Sequence, residues 1–150
     1  MADVGKTGPV DQCPTEYAEE SFVQCTLTQA GDASPEEVWR RYADLDEWPR
    51  WAPFIQAVEV SGRELATGLT GTVTAVGGLR VRFEVLVVDA TARTWRWRAR
   101  LGPVTLVLDH EVAARPAGGC VAVLAISGAM PVVLAYLVPA QLALRSLVRP

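Results

Sequence analysis

Histidine and cysteine are scarce in this chain: one histidine and three widely spaced cysteines, Cys13, Cys25 and Cys120. No C-x-x-C forms, so neither a disulfide framework nor a cysteine–histidine metal site is indicated. The expectation is no metal, no cofactor and a reducing, cytoplasmic setting. Positive charge is not in excess either. The 14 Lys and Arg stand against 17 Asp and Glu, a net charge of −3, which argues against a dedicated binder of phosphate backbones. The first residues, M-A-D-V-G-K-T-G-P-V-D-Q, have no apolar core of a signal peptide. Their G-K-T lacks the earlier glycine and the preceding strand of a phosphate-binding loop. A clean membrane span is missing as well. The C-terminal run P-V-V-L-A-Y-L-V-P-A-Q-L-A-L-R-S-L-V-R is cut by Pro139, with Gln141 and Arg145 beyond it. Its unbroken apolar part falls short of the roughly 20 residues a span needs, so a buried or amphipathic helix is expected and no integral membrane span.

What is present is an interior. Half of the 150 residues are hydrophobic and 21% are charged, as in one globular domain with a sizeable core. E-S-F-V-Q-C-T-L-T-Q-A, Glu20 to Ala30, alternates as a strand with Val23, Cys25 and Leu27 on one face. D-A-S-P-E-E-V-W-R-R-Y-A then starts a helix. Ser34 caps it, Pro35 suits the first helical position, and Glu37 completes an S-x-x-E box. Val38 and Tyr42, four apart, point inward with Trp39 beside them. L-D-E-W-P-R-W-A-P holds one further helical turn, since prolines 49 and 53 forbid a long helix.

From Phe54 onward the period becomes two. F-I-Q-A-V-E-V, T-G-T-V-T-A-V, L-R-V-R-F-E-V-L-V-V, T-W-R-W-R-A-R-L, V-T-L-V-L-D-H-E-V and C-V-A-V-L-A-I-S alternate with short turn signals. Consecutive strands on short connections make an antiparallel meander, because parallel pairs need long crossovers. An apolar helix from about Pro131 ends the chain, and Pro139 is expected to kink or interrupt it.

The stretch T-W-R-W-R-A-R, Thr94 to Arg100, interleaves aromatic and basic residues, as a nucleic-acid platform does. Hairpin register decides against that. Pairing Leu101 with Val104 across Gly102-Pro103 sets Trp97 opposite Leu108, Trp95 opposite His110 and Arg96 opposite Asp109. A one-residue slip would set Trp95 against Asp109. Gly-Pro is an odd two-residue turn that admits a local bulge. An odd-length D-A-T loop would set Phe83 opposite Trp97, Val85 opposite Trp95 and Glu84 opposite Arg96; R-P-A-G-G sets His110 opposite Leu124. The rings thus face inward and the arginines outward, and no nucleic-acid partner is expected. Val121, Val123 and Ala125 fall on the outer side. They form either a homodimer surface on the outer face of the last strand or an outward edge partly covered by another segment.

D-A-S-P-E-E-V-W-R-R-Y-A-D-L-D-E-W-P-R-W-A-P-F-I-Q-A-V-E-V, followed by a glycine-punctuated meander and a long terminal helix, resembles the START-like helix-grip superfamily (SRPBCC). Within it the chain is most similar to the polyketide cyclase/dehydratase proteins, from about Ser21 to the C-terminus. The resemblance implies an α+β helix-grip fold: a curved seven-stranded antiparallel sheet, two short helices and a long C-terminal helix enclosing an apolar cavity. Residues 1–18 are then a flexible tail and 19–150 the ligand-binding domain. It also implies a small hydrophobic, polyketide-like ligand. That ligand is either cyclised or dehydrated by conformational templating or only carried or sensed, since fold does not fix chemistry.

Candidate site residues follow from the inner face. His110 is the one side chain there that titrates near neutrality, so it is either a general acid/base or a histidine satisfied by its neighbours. Trp95, Trp97 and Phe83, with Leu108, make an aromatic wall for a ligand or ordinary core. Gln56 shares a strand side with Phe54, Val58 and Val60, and either orients a ligand or meets water at a strand end. Tyr136 offers an apolar body with a hydroxyl tip. Trp51, with Trp48, closes one end of the cavity.

Overall fold

The structure, a computed structural model, describes residues 22–150; the expected tail over 1–18 and Cys13 lie outside them. Along the chain come β1 (Phe22–Gly31), α1 (Pro35–Ala43), a 3-10 turn (Leu45–Glu47) and α2 (Trp48–Trp51). Six strands follow: β2 (Ile55–Val60), β3 (Thr70–Ala75), β4 (Leu79–Asp89), β5 (Thr94–Leu101), β6 (Val104–Ala114) and β7 (Cys120–Ala129). The last element is α3 (Met130–Leu147). The seven strands form one antiparallel sheet in the order β1-β7-β6-β5-β4-β3-β2. Strands β2 to β7 are the expected meander, and β1 closes against β7. β7 is therefore not an edge. Its outward residues Val121, Val123 and Ala125 pair with Ala30, Thr28 and Thr26 on one side and with Ala113, Glu111 and Asp109 on the other. The apolar strip is one strand wide at Val123 and Ala125 and takes in Ala30 and Ala113 beside Val121.

Helix α1 starts as its cap residues dictate: Ser34 Oγ accepts from the Glu37 amide at 3.1 Å. The second half of the expected capping box does not form. The Glu37 carboxylate turns along the helix to Arg40 (2.6 Å) and Arg41 (3.4 Å) instead, because two guanidiniums within one turn outcompete a single backbone amide.

The β5–β6 register is the expected one, with Leu101 opposite Val104, Trp97 opposite Leu108 and Trp95 opposite His110. No bulge intervenes. Gly102 takes φ +56° at the first corner, as a primed hairpin turn demands, and Pro103 is left at the second corner where a negative φ suits it. In β6–β7, His110 lies opposite Leu124 as expected. The β4–β5 pairing corrects the sequence reading. Phe83 faces Ala99, Glu84 faces Arg98 and Val85 faces Trp97, with a bulge between Val85 and Val87 that brings Val88 opposite Trp95. The turn is longer than D-A-T. Arg93 adopts a left-handed φ of 54°, and the Asp89 carboxylate accepts from the Ala92 amide at 3.0 Å. Before the bulge the slip is two residues, so Phe83 and Val85 keep their inward side.

Helix α3 runs unbroken through Pro139, so the expected interruption is absent. Val133, Ala140, Ala143, Leu144 and Leu147 are buried along it, each large aliphatic contributing about 1.5–3 kcal/mol. That packing outweighs the one helical bond a proline deletes. The end of α3 is clamped. Arg41 Nη1 donates to the carbonyls of Leu147 and Arg149, each at 2.6 Å, and the Ala33 amide donates to Val148 at 3.1 Å. Gly31 permits this approach, since a Cβ there would sit 2.3 Å from the Val148 carbonyl oxygen.

Candidate functional site

The inner sheet face and α3 enclose the interior, which is divided into two unequal parts. At the end toward the β3–β4 and β5–β6 turns is an apolar cavity of about 300 Å³, the low end of the range for small-molecule sites. β-strand side chains from Val73 to Leu108, Trp97 among them, line it on one side. Val132, Ala135, Tyr136 and Pro139 of α3 line the other. Deeper in lies a void of about 20 Å³ between Trp48, Trp51, Trp95, His110 and Leu144, the size of about one water molecule. Phe54, Ile55, Trp97 and Tyr136 border both and form the partition.

Around the small void sits a knot of rings. Trp95 stacks on His110 with centroids 4.4 Å apart and planes 8° off parallel. Trp97 stacks next to Trp95 at 5.7 Å, and Trp48 lies 5.6 Å from each of them. Tyr42 of α1 meets His110, Trp51 and Trp95 edge-on. Two indoles are tied to backbone: Trp48 donates to the Tyr42 carbonyl at 3.0 Å, Trp51 to the Arg41 carbonyl at 3.1 Å. The Trp95 indole N–H is buried without a partner among the described residues.

His110 is 5% exposed, and both of its ring nitrogens are engaged. Trp97 Nε1 lies 2.9 Å from Nε2, and the Tyr42 hydroxyl lies 3.1 Å from Nδ1. An indole can only donate. Nε2 is therefore the acceptor, and the ring proton resides on Nδ1, which donates to the Tyr42 oxygen. Burial pushes the pKa of His110 down from 6.5 to about 3, so the ring is neutral at physiological pH. Burial also drives the phenol pKa values of Tyr42 and Tyr136 well above their ordinary value; both stay protonated.

The residues singled out in the sequence separate into three groups. Trp97, Leu108 and Tyr136 line the large cavity. Trp51, Trp95 and His110 stand at the small void behind the partition. Phe83 is buried between Trp48 and Trp97 as part of the packing, so the expected aromatic wall presents one ring to the cavity. Gln56 is exposed. It is the extra residue of a bulge between Ile55 and Ala57, which turns its side chain away from the face that Ile55 and Val58 occupy. Trp95 is 2% and Trp97 8% exposed, so the rings that alternate with arginines in β5 lie on the buried side of the sheet and the arginines on the other.

The sequence reading missed the cavity's outer half, Val73, Leu79, Ala99 and Leu101 among others. Nothing in a strand pattern tells a void from a packed layer. Tyr42 was legible as an inward residue through its spacing from Val38, but not as the partner of His110. No charged side chain lines the large cavity, and no cluster of metal-binding residues exists among the described residues.

The profile of the family described as polyketide cyclase/dehydrase and lipid transport matches residues 23–148. No curated protein matches the chain in sequence. Among solved structures, that of Ara h 8.0201 superposes with a TM-score of 0.70 at 14% identity, covering 84% of this chain and 95% of that one. A hypothetical protein, jhp0584 from Helicobacter pylori, gives 0.68 at 17% identity, covering 99% and 95%. At such identities the likeness is one of fold, and the fold is the seven-stranded helix-grip arrangement described above.

Proposed function

The chain belongs to the polyketide cyclase/dehydrase and lipid transport family, and from that premise we propose that it binds and carries a small, uncharged, predominantly hydrocarbon ligand. The observation that supports this is the composition of the cavity wall. Among the described residues its one uncommitted polar side-chain group is the Tyr136 hydroxyl, whose pKa is shifted by burial alone. A carboxylate or phosphate drawn into such a wall would lose its hydration with no compensating partner. A single ketone or hydroxyl would meet the Tyr136 O–H, and the rest of the ligand would lie against Trp97, Leu108 and the aliphatic strands.

His110 in this reading is a structural hub. To act as a base it must give up the Trp97 N–H, and to act as an acid it must give up its proton to the ligand instead of Tyr42. A second reading rests on the place of Tyr136 at the partition beside Trp97. A phenol donating to a ligand carbonyl there polarises it without titrating, while the cavity holds a flexible chain in one reactive shape, as a templated cyclisation requires.

Native mass spectrometry of the protein purified from its natural host tests the first reading. A retained neutral molecule is expected. A preferentially retained fatty acid or phospholipid would overturn it, as would failure of every neutral isoprenoid or aromatic compound in a panel to displace a hydrophobic fluorophore. Turnover of a bound polyketide chain that survives His110→Gln would select the templated cyclisation.

A further inference from the structure

Pro139 lies in the interior of α3, and the helix continues past it. Proline has no backbone N–H, so the carbonyl four residues earlier, that of Ala135, is left without its helical partner. The pyrrolidine ring also crowds that carbonyl. Among the described residues no backbone amide from outside the helix donates to it. A main-chain acceptor left open in this way is completed by water or by another donor.

The direction of the opening follows from helix periodicity. Residues four apart stand one above the other on the same face, and the missing bond would have run between Ala135 and Pro139. Both residues line the large cavity, so the gap in the helical ladder opens on the cavity side. Val132 and Tyr136 belong to the same lining stripe. Ala135 is exposed, whereas Tyr136 also borders the small void. The open carbonyl therefore lies toward the solvent end of the stripe, and Tyr136 stands at the partition.

We propose that Pro139 turns the Ala135 carbonyl into a ligand-binding group, and that the cavity favours a hydrophobic molecule carrying a hydroxyl. The hydroxyl donates to this carbonyl while the hydrocarbon body lies against the strands. A ligand without a donor would cover the carbonyl, strip its water and return no bond. A hydroxyl exchanges one hydrogen bond for another. The wall then offers an acceptor at Ala135 as well as the donor of Tyr136, and the acceptor belongs to the backbone. This inference rests on the cavity reading above and narrows its ligand from an uncharged, mainly hydrocarbon molecule to an alcohol.

Pro139→Ala tests it, because alanine restores an N–H at position 139 that takes up the Ala135 carbonyl. Alanine is the better helix former, and circular dichroism checks that the variant folds. Octanol and its isomer methyl heptyl ether, alike in size and different in the O–H, are titrated against a hydrophobic fluorophore bound to the full chain. Relative to the ether, octanol should bind about two- to twelve-fold more weakly in Pro139→Ala than in the unaltered chain, the share of one hydrogen bond. Comparing the two proteins cancels the hydration of the probes themselves. In the unaltered chain the carbon-13 resonance of the Ala135 carbonyl should move with octanol and stay in place with the ether. An octanol-to-ether ratio that is the same in both proteins, or an Ala135 resonance indifferent to octanol, overturns the inference and leaves the cavity reading standing. If neither probe displaces the fluorophore from the unaltered chain, the cavity reading is overturned and the inference with it.

Discussion

Trp97 and His110 are diagonal neighbours on the inner face of the β5–β6 ladder, and the indole N–H of one donates to Nε2 of the other across 2.9 Å. That single bond sets the tautomer of the histidine. The remaining proton lies on Nδ1, 3.1 Å from the Tyr42 hydroxyl, so sheet and first helix are joined through a neutral imidazole. Such a ring is fully committed before any ligand arrives.

Acid should therefore destabilise the fold through His110. In the unfolded chain this residue takes up a proton as pH falls through 6.5, while in the folded state it stays neutral until about 3. Unfolding then binds a proton throughout that window, and stability, complete above 6.5, falls as the pH falls. The slope approaches about 1.4 kcal/mol per pH unit, so urea unfolding at about pH 5 should show about 2 kcal/mol less stability than at neutral pH. No other histidine exists to share the effect. In His110→Phe this dependence should vanish; its persistence would place the proton uptake elsewhere.

Tyr42→Phe leaves the Nδ1–H of His110 without an acceptor in a dry interior. The expected cost is about 1–3 kcal/mol in urea unfolding, with affinity for a cavity ligand unchanged, because Tyr42 lies behind the partition. A loss of ligand affinity without a loss of stability would contradict the division of the interior.

Ala99→Phe should fill the cavity. Ala99 lines it from β5, and the added ring occupies space now free. Displacement titrations should show ligand affinity reduced at least about ten-fold, while the melting temperature holds or rises, as cavity filling commonly produces. A melting temperature lowered by several degrees would show that the volume is already packed.

Tyr136→Phe removes the cavity's uncommitted donor and little else. Calorimetry should record about two- to twelve-fold weaker binding of a ketone-bearing ligand, the share of about 0.5–1.5 kcal/mol for one hydrogen bond. A hydrocarbon of the same shape should bind unchanged. Equal losses for both ligands would assign Tyr136 a packing role only.

Gly119 holds φ +76°, and a Cβ there would lie 2.2 Å from the Gly31 carbonyl oxygen. Gly119→Ala thus forces apart the β6–β7 turn and the end of β1, which Arg115 also bridges through the Gly31 carbonyl at 3.0 Å. Thermal unfolding should show a loss of at least about 1–3 kcal/mol, the usual cost of a strained backbone position. Gly77→Ala, at φ +88° but in open space, should cost less.

Two periodicities in the sequence determined most of the fold. Strict alternation placed Trp95, Trp97, Leu108 and His110 inside and the arginines outside, because a strand's faces are set by residue parity alone. Ser34 and Pro35 started α1, because a helix end satisfies its free amides locally. Parity also carried Phe83 and Val85 to the correct side despite a register wrong by two. What it could not carry was a bulge. One extra residue at Gln56 sent that side chain to solvent, and another near Leu86 reset the β4–β5 ladder, for reasons that lie in turn geometry and not in hydrophobic pattern.

Tertiary structure alone decided the site. His110 and Tyr42 are 68 positions apart, and only the docking of α1 across the sheet brings them together. The cavity exists because α3 packs tightly toward its C-terminal end, where Arg41 clamps it, and stands off the sheet along Val132, Tyr136 and Pro139. Apolar spacing is the same whether a helix touches the strands or leaves a void, so the position of that void is a property of the packed molecule.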